Sequence, residues 1–294
     1  MKHQNIRPLA YTSKMVAVVV PLSNRTDFTP EEEISLRHLM HFLGRYDKYF
    51  VIPKSLQFEY PGFGLKRFND RFFGSTAAHK KLMFSPRFYK AFREYRYMLI
   101  YHLDALVFSD QLMEWCQTDL DYIGAPWIQC EDAPWIQEPR VGNGGFSLRK
   151  IESFLKVLYS SEYWVEPTKY WRDLCVAKPK YFQFMNFPKK YIKRLKTFNG
   201  VRRHMACYPW NDDDFISQYA TKYYSKFRIA SFEFGLRFAF EVDPRRCFEL
   251  NNRTLPFGCH AWHRYDRDFW EPYLLKEILI DKGRDSHLPS EGAG

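Results

Sequence analysis

The sequence predicts one α/β domain with a mixed, mainly parallel sheet flanked by helices. Three observations carry that prediction. Apolar runs of strand length alternate with stretches of helical period. The first strand, helix and strand in order imply a parallel pair joined by a crossover helix. No linker interrupts the pattern, so residues 1–280 read as a single domain followed by a polar, Gly- and Ser-containing tail, 281–294, without fixed structure. In such a sheet ligands are expected at the carboxyl ends of the strands.

The elements follow in order. Residues 1–13 are a polar lead-in. Met15-Val-Ala-Val-Val-Val-Pro21 is an unbroken β-branched run stopped by proline, hence a strand. Thr29-Pro-Glu-Glu-Glu33 starts a helix with a cap, a proline at the first helical position and acids in the first turn; Gly44 ends it. Tyr49-Phe-Val-Ile-Pro53 is the second strand. Residues 54–80, mixing Gly, Pro, aromatics and charges, read mostly as loop. A helix over 85–94 feeds a strand over 98–108, a short helix covers 113–116, and a brief strand covers 121–127. Ala-Pro-Trp-Ile-Gln occurs at 125–129 and again at 133–137, an echo suited to an aromatic loop over a cleft and too small for a repeat architecture. Helices are expected over 150–159 and 211–223, a strand over 227–231, a loop over 255–262 and a closing helix over 270–280.

Composition narrows the function. The chain has 294 residues, 46% hydrophobic and 27% charged, as ordinary globular proteins do. Aromatics reach 19%, which fills a large core or lines a sugar- or base-binding cleft. The net charge of +10 favours polyanionic partners: nucleotide phosphates, nucleic acid, anionic lipid or an acidic glycan. Six scattered cysteines with no C-x-x-C pair point to free thiols in a reducing cytoplasm. No apolar run approaches the roughly 18 residues of a membrane span, and no signal-peptide core opens the chain. A cytoplasmic protein is expected, with peripheral attachment at the inner face of a membrane left open.

Four segments could carry chemistry. In Tyr97-Met-Leu-Ile-Tyr-His-Leu-Asp-Ala-Leu-Val-Phe108 a lone carboxylate, Asp104, interrupts an apolar run. It is either a ligand delivered by a strand end to a metal or sugar hydroxyl, or a turn cap. Gly142-Asn-Gly-Gly145 is either a plain tight turn or a place where backbone approaches a ligand closely. Asp212-Asp-Asp214 behind Asn211 suits a helix dipole, yet exceeds that need, so one of the three is a candidate general base. Gly258-Cys-His260, followed by Trp262 and His263, places a histidine in a loop beside aromatics.

Taken in order, these segments resemble GT-A-type glycosyltransferases. Among these they resemble an uncharacterised bacterial group of glycosyltransferases associated with polysaccharide synthesis. The pattern is carried by Tyr101-His-Leu-Asp-Ala-Leu-Val-Phe108, Tyr122-Ile-Gly-Ala-Pro-Trp127, Gly142-Asn-Gly-Gly-Phe-Ser-Leu-Arg149, Asn211-Asp-Asp-Asp-Phe215 and Pro256-Phe-Gly-Cys-His-Ala-Trp262. The resemblance implies a GT-A-like, Rossmann-like fold, a UDP- or GDP-sugar donor and a glycan acceptor, lipid-linked or acidic, with no nucleic acid. It also implies a divalent cation, Mn²⁺ or Mg²⁺, held by Asp104 and His260. His102 stands where the family has its first aspartate. Asp213 matches the general base of inverting enzymes, with Asp212 beside it. Asn143, Gly144 and Gly145 would line the donor sugar with His102, Trp262 and His263 close by, and Val19, Val20, Pro21 and Arg25 would line the nucleoside. A retaining mechanism, a non-catalytic glycan- or nucleotide-binding domain, and a metal-dependent nuclease or phosphotransferase are the rival readings. The basic, aromatic stretch 178–203 is either a platform for an acidic acceptor or anionic membrane, or a solvated surface loop.

Overall fold

Strands form where the sequence is most apolar. The computed structural model describes residues 14–275 of the protein apart from 135 and 177. β1 (Lys14–Pro21) buries its residues 16–20 almost completely, as a strand covered on both faces must. α1 (Pro30–Leu43) opens with a reciprocal cap. The Thr29 hydroxyl accepts from the Glu32 amide, and the Glu32 carboxylate accepts from the Thr29 amide at 2.8 Å. β2 (Asp47–Pro53) then runs parallel to β1, with Val19 opposite Tyr49.

Residues 54–80 are more ordered than expected. They hold β3 (Gly64–Phe68) and the start of α2 (Thr76–Met83), which Ser75 caps. β3 is an edge strand without a buried residue, so it has no apolar face to announce it. α3 (Pro86–Lys90) is shorter than expected and leads into β4 (Tyr95–Tyr101), parallel to β1. The strand expected over 98–108 breaks after Tyr101. His102 and Asp104 lie in a turn, and β5 (Leu106–Val107) joins a second sheet. A carboxylate inside a ladder would be buried without water, and the break places Asp104 at the strand's carboxyl end instead.

After α4 (Leu112–Gln117) come β6 (Tyr122–Gly124), β7 (Pro126–Trp127), β8 (Arg140–Val141), β9 (Phe146–Lys150) and α5 (Ile151–Leu158). β9 inserts antiparallel between β4 and β6, completing the order β3-β2-β1-β4-β9-β6. The basic stretch is helical rather than a loop. It holds α7 (Lys180–Ile192), α8 (Lys196–Asn199) and part of α9 (Val201–Cys207), with α6 (Pro167–Cys175) before them. α10 (Asp212–Tyr223) stands where expected, but 227–231 contributes one bridge, Ile229 to Tyr122, and no strand.

The C-terminal part adds α11 (Phe232–Phe238), β10 (Ala239–Phe240), α12 (Pro244–Leu250), β11 (Gly258–Cys259) and α13 (Arg267–Trp270). β10, β11 and β5 form a small sheet, and of these β11 lies inside the segment 255–262 expected as loop. Among the described residues, the segment expected as the closing helix holds the end of α13 and a single turn, Glu271–Tyr273, where Pro272 removes a backbone donor. Residues 276–280 of that expectation, the lead-in 1–13 and the tail 281–294 lie outside the described residues. The fold class is as predicted: α/β, a mixed, mainly parallel sheet flanked by helices, in one domain. All six cysteines are free.

Candidate active site

Three loops meet at the carboxyl end of β4. The His102 amide donates to the Gly145 carbonyl at 2.7 Å, which ties the turn after β4 to the glycine turn before β9. The Trp262 amide donates to the Asp104 carbonyl at 3.1 Å, and the His260 amide to the Phe240 carbonyl at 2.9 Å. The small sheet thereby carries His260 to the same place. The ligating atoms of His102, Asp104 and His260 all lie within 4.8 Å of one another.

His102 Nε2, Asp104 Oδ1 and His260 Nε2 are closed to solvent and make no hydrogen bond. Asp104 Oδ1 and His260 Nε2 stand 3.2 Å apart, close enough to attract but not directed as donor to acceptor. Each unpartnered buried polar atom costs about 1–3 kcal/mol, so three aimed at one point need a common partner. Two imidazole nitrogens and a carboxylate oxygen are a donor set that fits a divalent cation.

A second layer orients this set. His260 Nδ1 lies 2.8 Å from Glu241 Oε1, and Trp127 Nε1 donates to Glu241 Oε2 at 2.8 Å. A carboxylate on one ring nitrogen holds the ring and frees the other nitrogen for a metal. Asn143 Nδ2 approaches the same Nδ1 at 3.1 Å. Burial, with His79 and His260 alongside, pushes His102 well below the ordinary histidine range, leaving a neutral imidazole. Burial opposes the charge on His260, but Asp104 and Glu241 outweigh it and lift His260 well above that range when no cation is bound. Asp104 is likewise opposed by burial and held low by His260.

The glycine turn is shaped by what it touches. Asn143 adopts φ 69°, and its Oδ1 accepts from the Gly145 and Phe146 amides at 2.8 and 3.0 Å. A Cβ on Gly145 would fall 2.0 Å from His260 Nε2, inside the cluster itself. A Cβ on Gly144 would face Asp213 Oδ2 at 3.4 Å. The turn therefore has the cation-type cluster on one side and α10 on the other.

The three acids of α10 point to different partners. Asp212 is buried and pairs with Arg149 Nη1 at 3.1 Å; Arg149 also donates to Tyr89 Oη at 3.1 Å and the Gly144 carbonyl at 3.3 Å. Asp214 accepts from Arg140 at 2.7 Å, from Gln218 and from the Tyr208 hydroxyl. Asp213 accepts the Asp214 amide at 2.8 Å and has no cation of its own among the described residues. Burial, then the Asp212 and Glu241 carboxylates, push it up to about 7. A carboxylate with that affinity holds or releases a proton at neutral pH, as a general base must.

The expected site residues thus divide. His102, Asp104, Asn143, Gly144, Gly145, Asp213 and His260 come together. Asp212 is spent on Arg149. Val19 and Val20 are completely buried, so their side chains belong to the core and cannot line a nucleoside; Pro21 closes β1 half-buried. Arg25 pairs with Glu32 and donates to the Asp27 carbonyl at the start of α1. Trp262 is also completely buried, its Nε1 donating to Ser35 Oγ at 3.3 Å, and so it supports the Asp104 turn rather than a sugar. His263 is exposed. Glu241 and Arg149 are site groups beyond those expected from the sequence. Glu241 ends the apolar run Phe238-Ala-Phe240, the same lone-carboxylate signal that marks Asp104. The first copy of the Ala-Pro-Trp-Ile-Gln echo supplies Trp127; Trp135 of the second lies outside the described residues.

A family model described as "Protein of unknown function (DUF5672)" matches residues 62–260. No curated protein matches the chain. Solved structures similar to it include the apo-form glycosyltransferase GlyE of Streptococcus pneumoniae TIGR4, with 13% identity and TM-score 0.42, covering 90% of this chain and 61% of that one. Another is a glycosyltransferase involved in glycosylation of the major capsid of PBCV-1, with 10% identity and TM-score 0.44, covering 88% and 98%. A third is the galactosyltransferase LgtC in complex with donor and acceptor sugar analogs, with 14% identity and TM-score 0.43, covering 87% and 93%. Likenesses this distant say nothing of chemistry, which rests on the chain's own geometry.

Proposed function

The chain belongs to the DUF5672 family, and on that premise we propose that it is a metal-dependent glycosyltransferase, moving a sugar from a UDP- or GDP-sugar to a hydroxyl of a glycan acceptor. One observation carries this reading. A single glycine turn separates three unpartnered ligand atoms, on His102, Asp104 and His260, from a carboxyl group, Asp213, that titrates near neutrality. Those are the two charge-handling devices that displacement of a nucleoside diphosphate by an alcohol requires.

A divalent cation bound there supplies neutralisation of the charge growing on the diphosphate leaving group. Glu241 holds the His260 ring, and Gly145 leaves room beside it. Asp213 takes the proton of the acceptor hydroxyl as that oxygen attacks the anomeric carbon. The bond from that carbon to the diphosphate oxygen breaks, and the nucleoside diphosphate leaves with its electron pair. Attack opposite the leaving group inverts the anomeric centre, so NMR of the product should show the configuration reversed from the donor's. Retention would remove Asp213 from the base role.

Of the two ions considered, the donor set supports Mn²⁺ over Mg²⁺. Magnesium prefers oxygen ligands and its own waters, whereas imidazole suits later first-row ions. Calorimetric titration should show Mn²⁺ binding more tightly than Mg²⁺. His102→Asp should shift the preference towards Mg²⁺; an unchanged ratio of affinities would place His102 outside the ligand set. Asp104→Ala should lose Mn²⁺-dependent binding of a nucleoside diphosphate. If the wild type binds the diphosphate equally with and without Mn²⁺, the metal reading falls.

A further inference from the structure

Residues 174–211 contain nine Lys and Arg and no Asp or Glu, and the candidate site uses none of these nine cations. At the centre of this stretch is α7. Helices in globular proteins owe most of their stability to a packed apolar face, yet α7 has no buried residue. One side leans on α6, where the Phe187 and Trp171 rings meet edge-on at 6.1 Å and Lys190 lies over Trp171. Phe182, Gln183 and Asn186 are half-buried.

The rest of α7 faces water with apolar groups. Tyr181, Phe184 and Met185 are 73%, 81% and 74% exposed, and Ile192 is 43% exposed. With Pro188 they occupy positions i, i+3, i+4, i+7 and i+11, which a helix aligns on one side. Scattered exposed apolar residues are common, but an aligned stripe of this length marks a surface made for a partner. Lys178, Lys180, Lys189 and Arg194 are exposed beside it, and none of them has an ion-pair partner among the described residues.

We propose that α7 is an interfacial helix that docks this protein on an anionic lipid bilayer. Its apolar stripe enters the boundary between headgroups and acyl chains, and the flanking cations meet the lipid phosphates. An apolar face with a basic border, without any acid to repel the lipid, is the composition of helices that lie in a membrane plane. A second copy of the chain is the poorer occupant, because a two-fold interface would set each basic border against its own image. A free polyanion would use the cations but leave Phe184 and Met185 in water. The inference is independent of the proposed chemistry, since α7 supplies no residue to that site.

Co-sedimentation of the full chain tests it, with vesicles of phosphatidylcholine alone or mixed with phosphatidylglycerol. The protein should pellet with the mixed vesicles and much less with the neutral ones, and added salt should weaken the binding. Phe184→Ser with Met185→Ser should weaken it by about tenfold or more, with the helical circular dichroism unchanged. Slow hydrolysis of a nucleotide sugar, if the chain performs it, should stay at the wild-type rate in that variant, so failure of docking and failure of the enzymatic reading remain distinct. Three results would overturn the proposal. These are equal partition into both kinds of vesicle, no partition into either, or a wild type that sediments as a dimer and becomes monomeric in the serine variant.

Discussion

Asp213→Asn is expected to lower turnover by about 10²–10⁴-fold while leaving donor affinity nearly unchanged. The amide keeps the shape of the carboxyl and can still accept the Asp214 amide hydrogen through Oδ1, so the start of α10 stays intact. What it loses is the ability to take a proton. In the wild type the ionised carboxylate is the active form. Turnover should therefore rise with pH through about 7 and level off above it, and the residual activity of the variant should lack that limb. The same substitution has an opposite effect on stability. Because the carboxyl's affinity for the proton is raised in the folded state, the fold keeps a proton that the unfolded chain gives up near pH 4. Whatever stability that proton contributes is present below pH 4 and lost as pH rises through about 7. The amide side chain of the variant stays neutral throughout and escapes that loss, so in the presence of a chelator the variant should melt higher than the wild type at pH 8. Full turnover would show that Asp213 is not the base, and a lower melting temperature at that pH would show that it is not a strained group.

How much of this was readable beforehand depended on whether burial leaves a mark on residue type. β1, β2 and β4 are covered on both faces, so nearly every position is apolar and the strands are plain. β9, like β2, lies one strand in from a sheet edge, but it buries Ser147 and Arg149, and these erase the apolar signal. β3 is invisible for the opposite reason: as an edge strand it buries nothing completely. The site followed the same logic. Asp104 and His260 stand out as polar residues in apolar company, while Glu241 closes a run of only three apolar residues. Val19, Val20 and Trp262 mark its limit. A residue type that lines ligands also fills cores, and only the fold tells which. That Asp104 and His260 converge was implied only by the resemblance, and no local pattern marks His102 as a third ligand beside them. Their convergence depends on β5 leaving the main sheet to pair with β11, across about 150 positions of sequence.

Asp212→Asn should injure the fold more than the chemistry, and the difference separates two roles that the run of three acids leaves mixed. Arg149 is 1% exposed and Asp212 is its only anionic partner among the described residues. Removing the charge leaves a guanidinium buried with the Tyr89 hydroxyl, Ser147 Oγ and the Gly144 carbonyl, none of which is an anion. Breaking a buried pair in this way costs about 3–5 kcal/mol, a large share of the roughly 5–15 kcal/mol that holds a domain together. A urea melt should show the midpoint falling steeply, or the variant should not fold at all. Replacing both partners with apolar residues, Arg149→Met with Asp212→Leu, should recover most of that loss because no charge is stranded. The double variant would still have lost the bond from Arg149 to the Gly144 carbonyl, which holds the turn between the ligand cluster and Asp213. It should therefore be stable yet bind Mn²⁺ more weakly. If Asp212→Asn instead melts like the wild type and only loses turnover, the carboxylate acts on the substrate directly and the base is shared between Asp212 and Asp213.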